Sequence, residues 1–162
     1  LEGQLADYND NVAAMDLVLF QQAMEHITRI CRIIDQPSGH ALLVGVGGSG
    51  KQSLSKLGAF ILNMEVFRIV VSSNYGMGDL KDDIKMAFTK AGAQGVKQLF
   101  ILTDGQIIND RFLMYINDIL STGYIPELFA ADELEEVTGR IRSEAKSSGY
   151  VDTPDSLFAF FI

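Results

Sequence analysis

The residues with the clearest chemical purpose form one run, Gly45-Val46-Gly47-Gly48-Ser49-Gly50-Lys51-Gln52-Ser53. Its first seven residues match the phosphate-binding pattern G-x-x-x-x-G-K. Glycines at that spacing let backbone N–H groups converge on phosphate oxygens without Cβ clashes. A helix beginning near Gly50–Lys51 would add the positive end of its dipole. Lys51 would then reach the β- and γ-phosphates as a mobile point charge. The bland alternative is a glycine-rich turn with an incidental lysine. One position departs from the full pattern. Gln52 stands where a Ser or Thr hydroxyl would ligate Mg²⁺, and Ser53 lies about 100° further round the helix. The run therefore predicts phosphate binding and offers a metal only the Gln52 amide oxygen at that position.

A carboxylate is the second requirement. Proteins with this loop place an aspartate at the end of a second buried strand, where it holds the water shell of Mg²⁺. Asp104 fits, closing Leu99-Phe100-Ile101-Leu102-Thr103 at 53 residues beyond Lys51. Its neighbours are Gly105, which has no side chain, and Gln106; the competing reading of Asp104-Gly105 is an ordinary turn. Leu17, Val18 and Leu19 are candidates to pack an adenine ring, against the simpler reading of core residues. His26 reads as a surface or packed histidine, Cys31 as a small buried hydrophobe, and Arg140 and Arg142 as a solvated helix face. Glu133, Glu135 and Glu136 read as a helix start, and Ser72–Gly78 as turn chemistry.

These groups need a scaffold of alternating strands and helices. Residues 1–15 are mixed and polar, with a turn expected at Asn9-Asp10-Asn11. From Asp16, apolar residues recur at Leu17, Phe20, Met24, Ile27, Cys31 and Ile34, a helical spacing ended by Pro37-Ser38-Gly39. Ala41-Leu42-Leu43-Val44 predicts a strand buried on both faces, feeding the glycine run. The following helix should turn Leu54, Leu57, Phe60 and Ile61 inward. Val66–Val71 predicts a second strand, and Asp79 the N-cap of a helix carrying Leu80, Ile84, Ala87, Phe88 and Ala91, ended by Gly92 and Gly95. Leu99–Leu102 is the third strand. Helices follow with Phe112, Ile116, Ile119 and Leu120, up to Gly123, and over Asp132–Ser148. The pattern implies an α/β fold with a mostly parallel sheet, which for a protein with a phosphate-binding P-loop means three α/β/α layers.

Composition narrows the function classes. At 162 residues with 48% hydrophobic residues, the chain is long enough for one domain with a substantial core. One cysteine excludes an intramolecular disulfide framework and a Cys-rich zinc site, and having two histidines argues against a His-based metal centre. A net charge of −8 argues against nucleic acid or an anionic membrane surface as partner. No apolar run approaches the ~20 residues of a membrane span. The chain opens on Leu1 and closes inside the apolar Leu157–Ile162, so a piece of a longer protein is expected.

The run His40–Leu54, including the Gln after the Lys, resembles the phosphate loop of the fourth AAA+ module of dynein heavy chains, the axonemal ones especially. The likeness continues through Leu17–Phe20, Glu25-His26-Ile27, Arg29-Ile30, Gln36-Pro37, Thr103–Ile107 and Arg111–Asp118, covering nearly the whole chain. Gly105 and Ser38 depart from the Ser and Arg usual in that family. The resemblance implies the N-terminal part of an AAA+ large subdomain, with residues 1–36 as lead-in and first helix and 37–162 as the P-loop core. It implies ATP or ADP held by residues 45–53 with Asp104, Mg²⁺ through Asp104, and a regulatory site that hydrolyses weakly or not at all. Where hydrolysing AAA+ proteins carry a glutamate after that aspartate, this chain has Gly105. It further implies neighbouring AAA+ modules, intermediate and light chains, and microtubules engaged through a stalk outside this chain, in the cytoplasm and the axoneme of a cilium or flagellum. Two other functions stay open: an architectural ring segment with nucleotide as filler, and a competent ATPase completed by residues outside the chain.

Overall fold

The computed structural model describes residues 1–162, which divide into two compact units. The first comprises Leu1–Arg68 with Lys97–Ile101, and the second Ile69–Val96 with Leu102–Ile162.

In the first unit, three helices surround one core: α1 (Glu2–Asn11), α2 (Gln21–Ile34) and α3 (Lys51–Ile61). Helix α2 buries Ala23, Ile27, Ile30 and Ile34, an i, i+4, i+7, i+11 stripe, against Leu54 and Leu57 of α3. Gly58 brings the two helices close, since a Cβ there would lie 3.3 Å from Ile30 Cγ2 and 3.5 Å from Cys31 Sγ. Tyr8 of α1 closes the cluster edge-on to Phe60, with ring centroids 5.3 Å apart. The expected polar lead-in is thus a helix, anchored by Tyr8 and Leu5 rather than by a continuous apolar face.

Helix α2 begins at Gln21, not Asp16. Residues 15–20 form no regular element, with Met15, Leu17 and Leu19 against the core and Val18 and Phe20 turned out. A period of two explains those positions better than the helical spacing did.

β1 (Glu65–Phe67) and β2 (Gln98–Phe100) pair in parallel, with Val66 opposite Leu99. The connection between them carries α4 (Met77–Gln94), the β–α–β order expected of an α/β fold. Two predicted strands need correction. Ala41–Val44 forms no ladder: Leu43 leans on the core, while Leu42 is 92% and Val44 85% exposed. An apolar run specifies burial, but a strand also needs a hydrogen-bonding neighbour, and β2 pairs only with β1. The second strand stops at Phe67 instead of Val71, because the Ile69 carbonyl accepts a hydrogen bond from a side chain, Gln106 Nε2, at 2.6 Å.

The second unit packs α4, α5 (Phe112–Thr122), α6 (Ala131–Ser147) and α7 (Pro154–Phe161). Gly76, not Asp79, is the N-cap of α4; the Asp79 carboxylate accepts back from the Gly76 N–H at 2.8 Å. Gly92 lies inside α4 rather than ending it, and a Cβ there would collide with the Phe161 carbonyl and ring. Gly95, at φ 65°, is the true terminator. Val137, Ile141 and Phe161 form one buried cluster of this unit, joined by Phe88, Phe129 and Phe158, and Leu80, Ile84, Phe112 and Leu157 are also buried. Helix α5 buries only Phe112 fully; Ile116 and Ile119 are half-buried and Leu120 is exposed.

Candidate functional site

The loop Gly45–Gly50 runs directly into α3, with Lys51 as its first helical residue. Gly48 and Gly50 have φ of 75° and 77°, the left-handed region that side-chain-bearing residues avoid. Nothing lies within 4 Å of a Cβ built on Gly47 or Gly48, so the loop's outer side is open. The first intrahelical bond runs from Leu54 N–H to the Gly50 carbonyl at 2.8 Å, and no side chain caps the helix. The N–H groups of Lys51, Gln52 and Ser53 therefore have no intrahelical acceptor. That arrangement suits an anion: consecutive donors, left-handed glycines and a helix N-terminus converge on one place.

Lys51 folds back on its own loop. Its ammonium donates to the Gly45 carbonyl at 2.7 Å, the Val46 carbonyl at 2.8 Å and the Ser49 hydroxyl at 3.2 Å. Gln52 is exposed and Ser53 half-buried, on successive positions of the first turn. Of the adenine candidates, Leu17 reaches the loop, its Cδ1 lying 3.7 Å from the position of a Cβ on Gly50. Leu19 packs into the core, and Val18 is 74% exposed. Residues 45–53 and Leu17 thus come together within the first unit.

Asp104 belongs to the second unit, where it opens a 3-10 turn, Asp104–Gln106, and is solvent-exposed. The turn is held by a residue that the sequence pattern did not single out. Gln106 Oε1 accepts from the Thr103 N–H and hydroxyl, each at 2.9 Å, while its Nε2 donates to the Ile69 carbonyl. Both ends of the amide are committed, so Gln106 does not stand in for the carboxylate that Gly105 lacks. The signal was present as T-x-x-Q, a capping-box spacing.

The remaining candidates have structural partners. Arg140 pairs with Glu136 at 2.6 Å, and Arg142 and Lys146 both pair with Asp152. Glu133 accepts from Lys85 of α4 and from the Ala130 N–H that opens α6. The Lys85 hydrogen bond, and then the Ala130 N–H, hold the Glu133 carboxyl below its ordinary range. Burial, reinforced by the hydrogen bond to Asp83, pushes the Tyr75 hydroxyl well above its ordinary value. Cys31 is half-buried, with its thiol raised mainly by desolvation, which suits an unreactive packing residue. No group of three or more His, Cys, Asp or Glu side chains is placed to hold a metal ion.

Residues 15–162 match the family model of the P-loop containing dynein motor region D4. The chain is 52% identical over 162 residues to the dynein beta chain of the flagellar outer arm of Chlamydomonas reinhardtii. It is 50% identical over 158 residues to the alpha chain of the same arm, and 46% identical over 158 residues to human dynein axonemal heavy chain 9. In each case it spans about 4% of the relative's length. With nearly its whole length matched, the chain belongs to the family of the P-loop containing dynein motor region D4.

Proposed function

We propose that this chain is a regulatory nucleotide-binding module of an axonemal dynein heavy chain, holding ATP or ADP and hydrolysing it slowly or not at all. The observation that carries the proposal is the uncapped start of α3 behind two left-handed glycines, with Lys51 at the first helical position. In this reading the N–H groups of residues 45–53 and the Lys51 ammonium bind the phosphates, and Leu17 covers the base. Asp104 would serve Mg²⁺ through its water shell, with Gln52 as the one amide oxygen on the helix. Such a metal would offset negative charge on the phosphate oxygens.

Weak hydrolysis follows from what the chain lacks around the γ-phosphate. Gly105 offers no carboxylate to position water, Gln106 is tied to Thr103 and Ile69, and Arg140 and Arg142 are paired elsewhere in their own unit. The relatives' names place those proteins in ciliary and flagellar dyneins. By that kinship we assign this chain to the axoneme. There it would work beside neighbouring AAA+ modules, with intermediate and light chains, in a motor that reaches microtubules through a stalk outside this chain.

The test is Lys51→Ala in the heavy-chain motor region with its other nucleotide sites disabled, titrated with ATP and ADP. Loss of one charge-assisted contact should cost about 1.5–3 kcal/mol, roughly tenfold to 150-fold in affinity. Unchanged affinity for both nucleotides contradicts the assignment.

A further inference from the structure

We propose that Tyr75 is a positioning residue for Asp104: its ring clasps Phe112 and so fixes the segment 103–112 that carries the Asp104 carboxylate. This rests on the reading of Asp104 as the carboxylate that serves Mg²⁺. Nothing holds that carboxylate directly. Asp104 is exposed and its side chain accepts no hydrogen bond within the chain, so its oxygens are open to the water shell of a metal. Its position therefore depends on the backbone beneath it, which forms two linked turns. The Gln106 and Ile107 N–H groups donate to the Thr103 and Asp104 carbonyls at 2.9 and 3.0 Å. The Phe112 and Leu113 N–H groups donate to the Asn109 and Asp110 carbonyls at 2.9 and 3.0 Å. Both turns are tied to the stretch of chain that precedes α4. Gln106 Nε2 reaches the Ile69 carbonyl, and Phe112, 1% exposed, meets Tyr75 edge-on with ring centroids 6.0 Å apart.

Tyr75 is itself fixed twice, which a phenylalanine there would not be. Its N–H closes a turn on the Ser72 carbonyl at 3.1 Å, and its hydroxyl donates to Asp83 Oδ2 of α4 at 2.5 Å. Burial first, and then Asp83, keep that hydroxyl protonated and donating. The ring is thus drawn toward α4 and held there for Phe112 to pack on. Without the hydroxyl the ring has one anchor, and the turns that follow Phe112's lead lose part of their hold. A turn correctly placed only part of the time lowers the metal-linked affinity by that fraction.

The experiment uses the heavy-chain motor region with other nucleotide sites disabled, comparing wild type, Tyr75→Phe, Asp83→Ala and Asp83→Asn. The probe is a fluorescent N-methylanthraniloyl ADP, titrated once with Mg²⁺ and once with a chelator. In chelator all four proteins should bind alike. The gain in affinity that Mg²⁺ brings should shrink roughly two- to tenfold in Tyr75→Phe and Asp83→Ala, the scale of one hydrogen bond. Asp83→Asn still offers the hydroxyl an amide oxygen and should keep most of the gain. A second measurement needs neither metal nor nucleotide: hydrogen exchange at the amides of Gln106, Ile107, Phe112 and Leu113. It should be faster in Tyr75→Phe and Asp83→Ala and close to wild type in Asp83→Asn. An undiminished Mg²⁺ gain in Tyr75→Phe, an equal loss with and without Mg²⁺, or unchanged exchange overturns the positioning role. Absence of any Mg²⁺ gain in wild type contradicts the reading of Asp104 instead, and the exchange rates then decide the clasp alone.

Discussion

Gln106 spends its whole amide on the turn that carries Asp104. It accepts twice from Thr103 and donates once to the carbonyl of Ile69, a residue 2% exposed. Gln106→Ala would leave the Thr103 N–H and the Ile69 carbonyl without partners in a half-buried setting. We expect a loss of about 1–3 kcal/mol, read as a lower midpoint in chemical denaturation. Gln106→Glu keeps the acceptor but turns the donor into a second oxygen facing a carbonyl, so it should destabilise as well. Equal stability of both variants and wild type would contradict this role. At this scale the sequence was legible where a residue's chemistry is intrinsic, as in the Gly48–Lys51 run. It was less legible where the role depends on a partner 37 residues away, as Ile69 is from Gln106.

The helices were legible where an apolar stripe and a glycine terminator coincide, as in α4 with Gly95 and α5 with Gly123, and less so at their ends. Asp79 sits three residues inside α4, since a carboxylate that accepts from the cap residue's N–H serves as well as one at the cap. Ala41–Val44 was misread because hydrophobicity reports a preference for burial and carries no information about a ladder partner. Two predictions belong to the elements. Gly92→Ala gains helix propensity worth about 1 kcal/mol but forces a Cβ onto the Phe161 backbone, and overpacking of that kind costs about 1–3 kcal/mol. Contact with a backbone atom cannot be relieved by a rotamer change, so the clash should win, and thermal denaturation should show a lower Tm. The second concerns Glu133, which joins α4 to α6 through Lys85. Its folded-state pKa is lowered, so its stabilisation is present above the ordinary carboxylate range and is lost as pH falls through the lowered value. Glu133→Gln should flatten that acid-side decline in stability against pH. An unchanged slope would show that the pair contributes nothing to acid sensitivity.

At the scale of the whole molecule, the surface of the first unit carries an apolar strip that its own core does not use. Leu42, Val44 and Val46 are 92%, 85% and 78% exposed, the last of them within the loop Gly45–Gly50. Such a strip favours association. We expect the 162-residue chain to self-associate, and Leu42→Ser with Val44→Ser to reduce this without lowering the unfolding midpoint, as light scattering and denaturation would show. A fall in stability would mean that the strip is buried in solution. In the function we propose, binding and chemistry rest on different residues. There the donors for phosphate would come from backbone and Lys51, whereas general-base assistance, worth about 10²–10⁴-fold, would have no side chain at Gly105 to supply it. The most direct test of that separation is single-turnover kinetics on the heavy-chain motor region with its other nucleotide sites disabled. Radiolabelled ATP is loaded, and retained ATP, retained ADP and released phosphate are followed together. We predict nucleotide that stays bound while phosphate appears far more slowly than about one per second. Turnover at several per second from this site, or nucleotide that is not retained at all, would contradict the account.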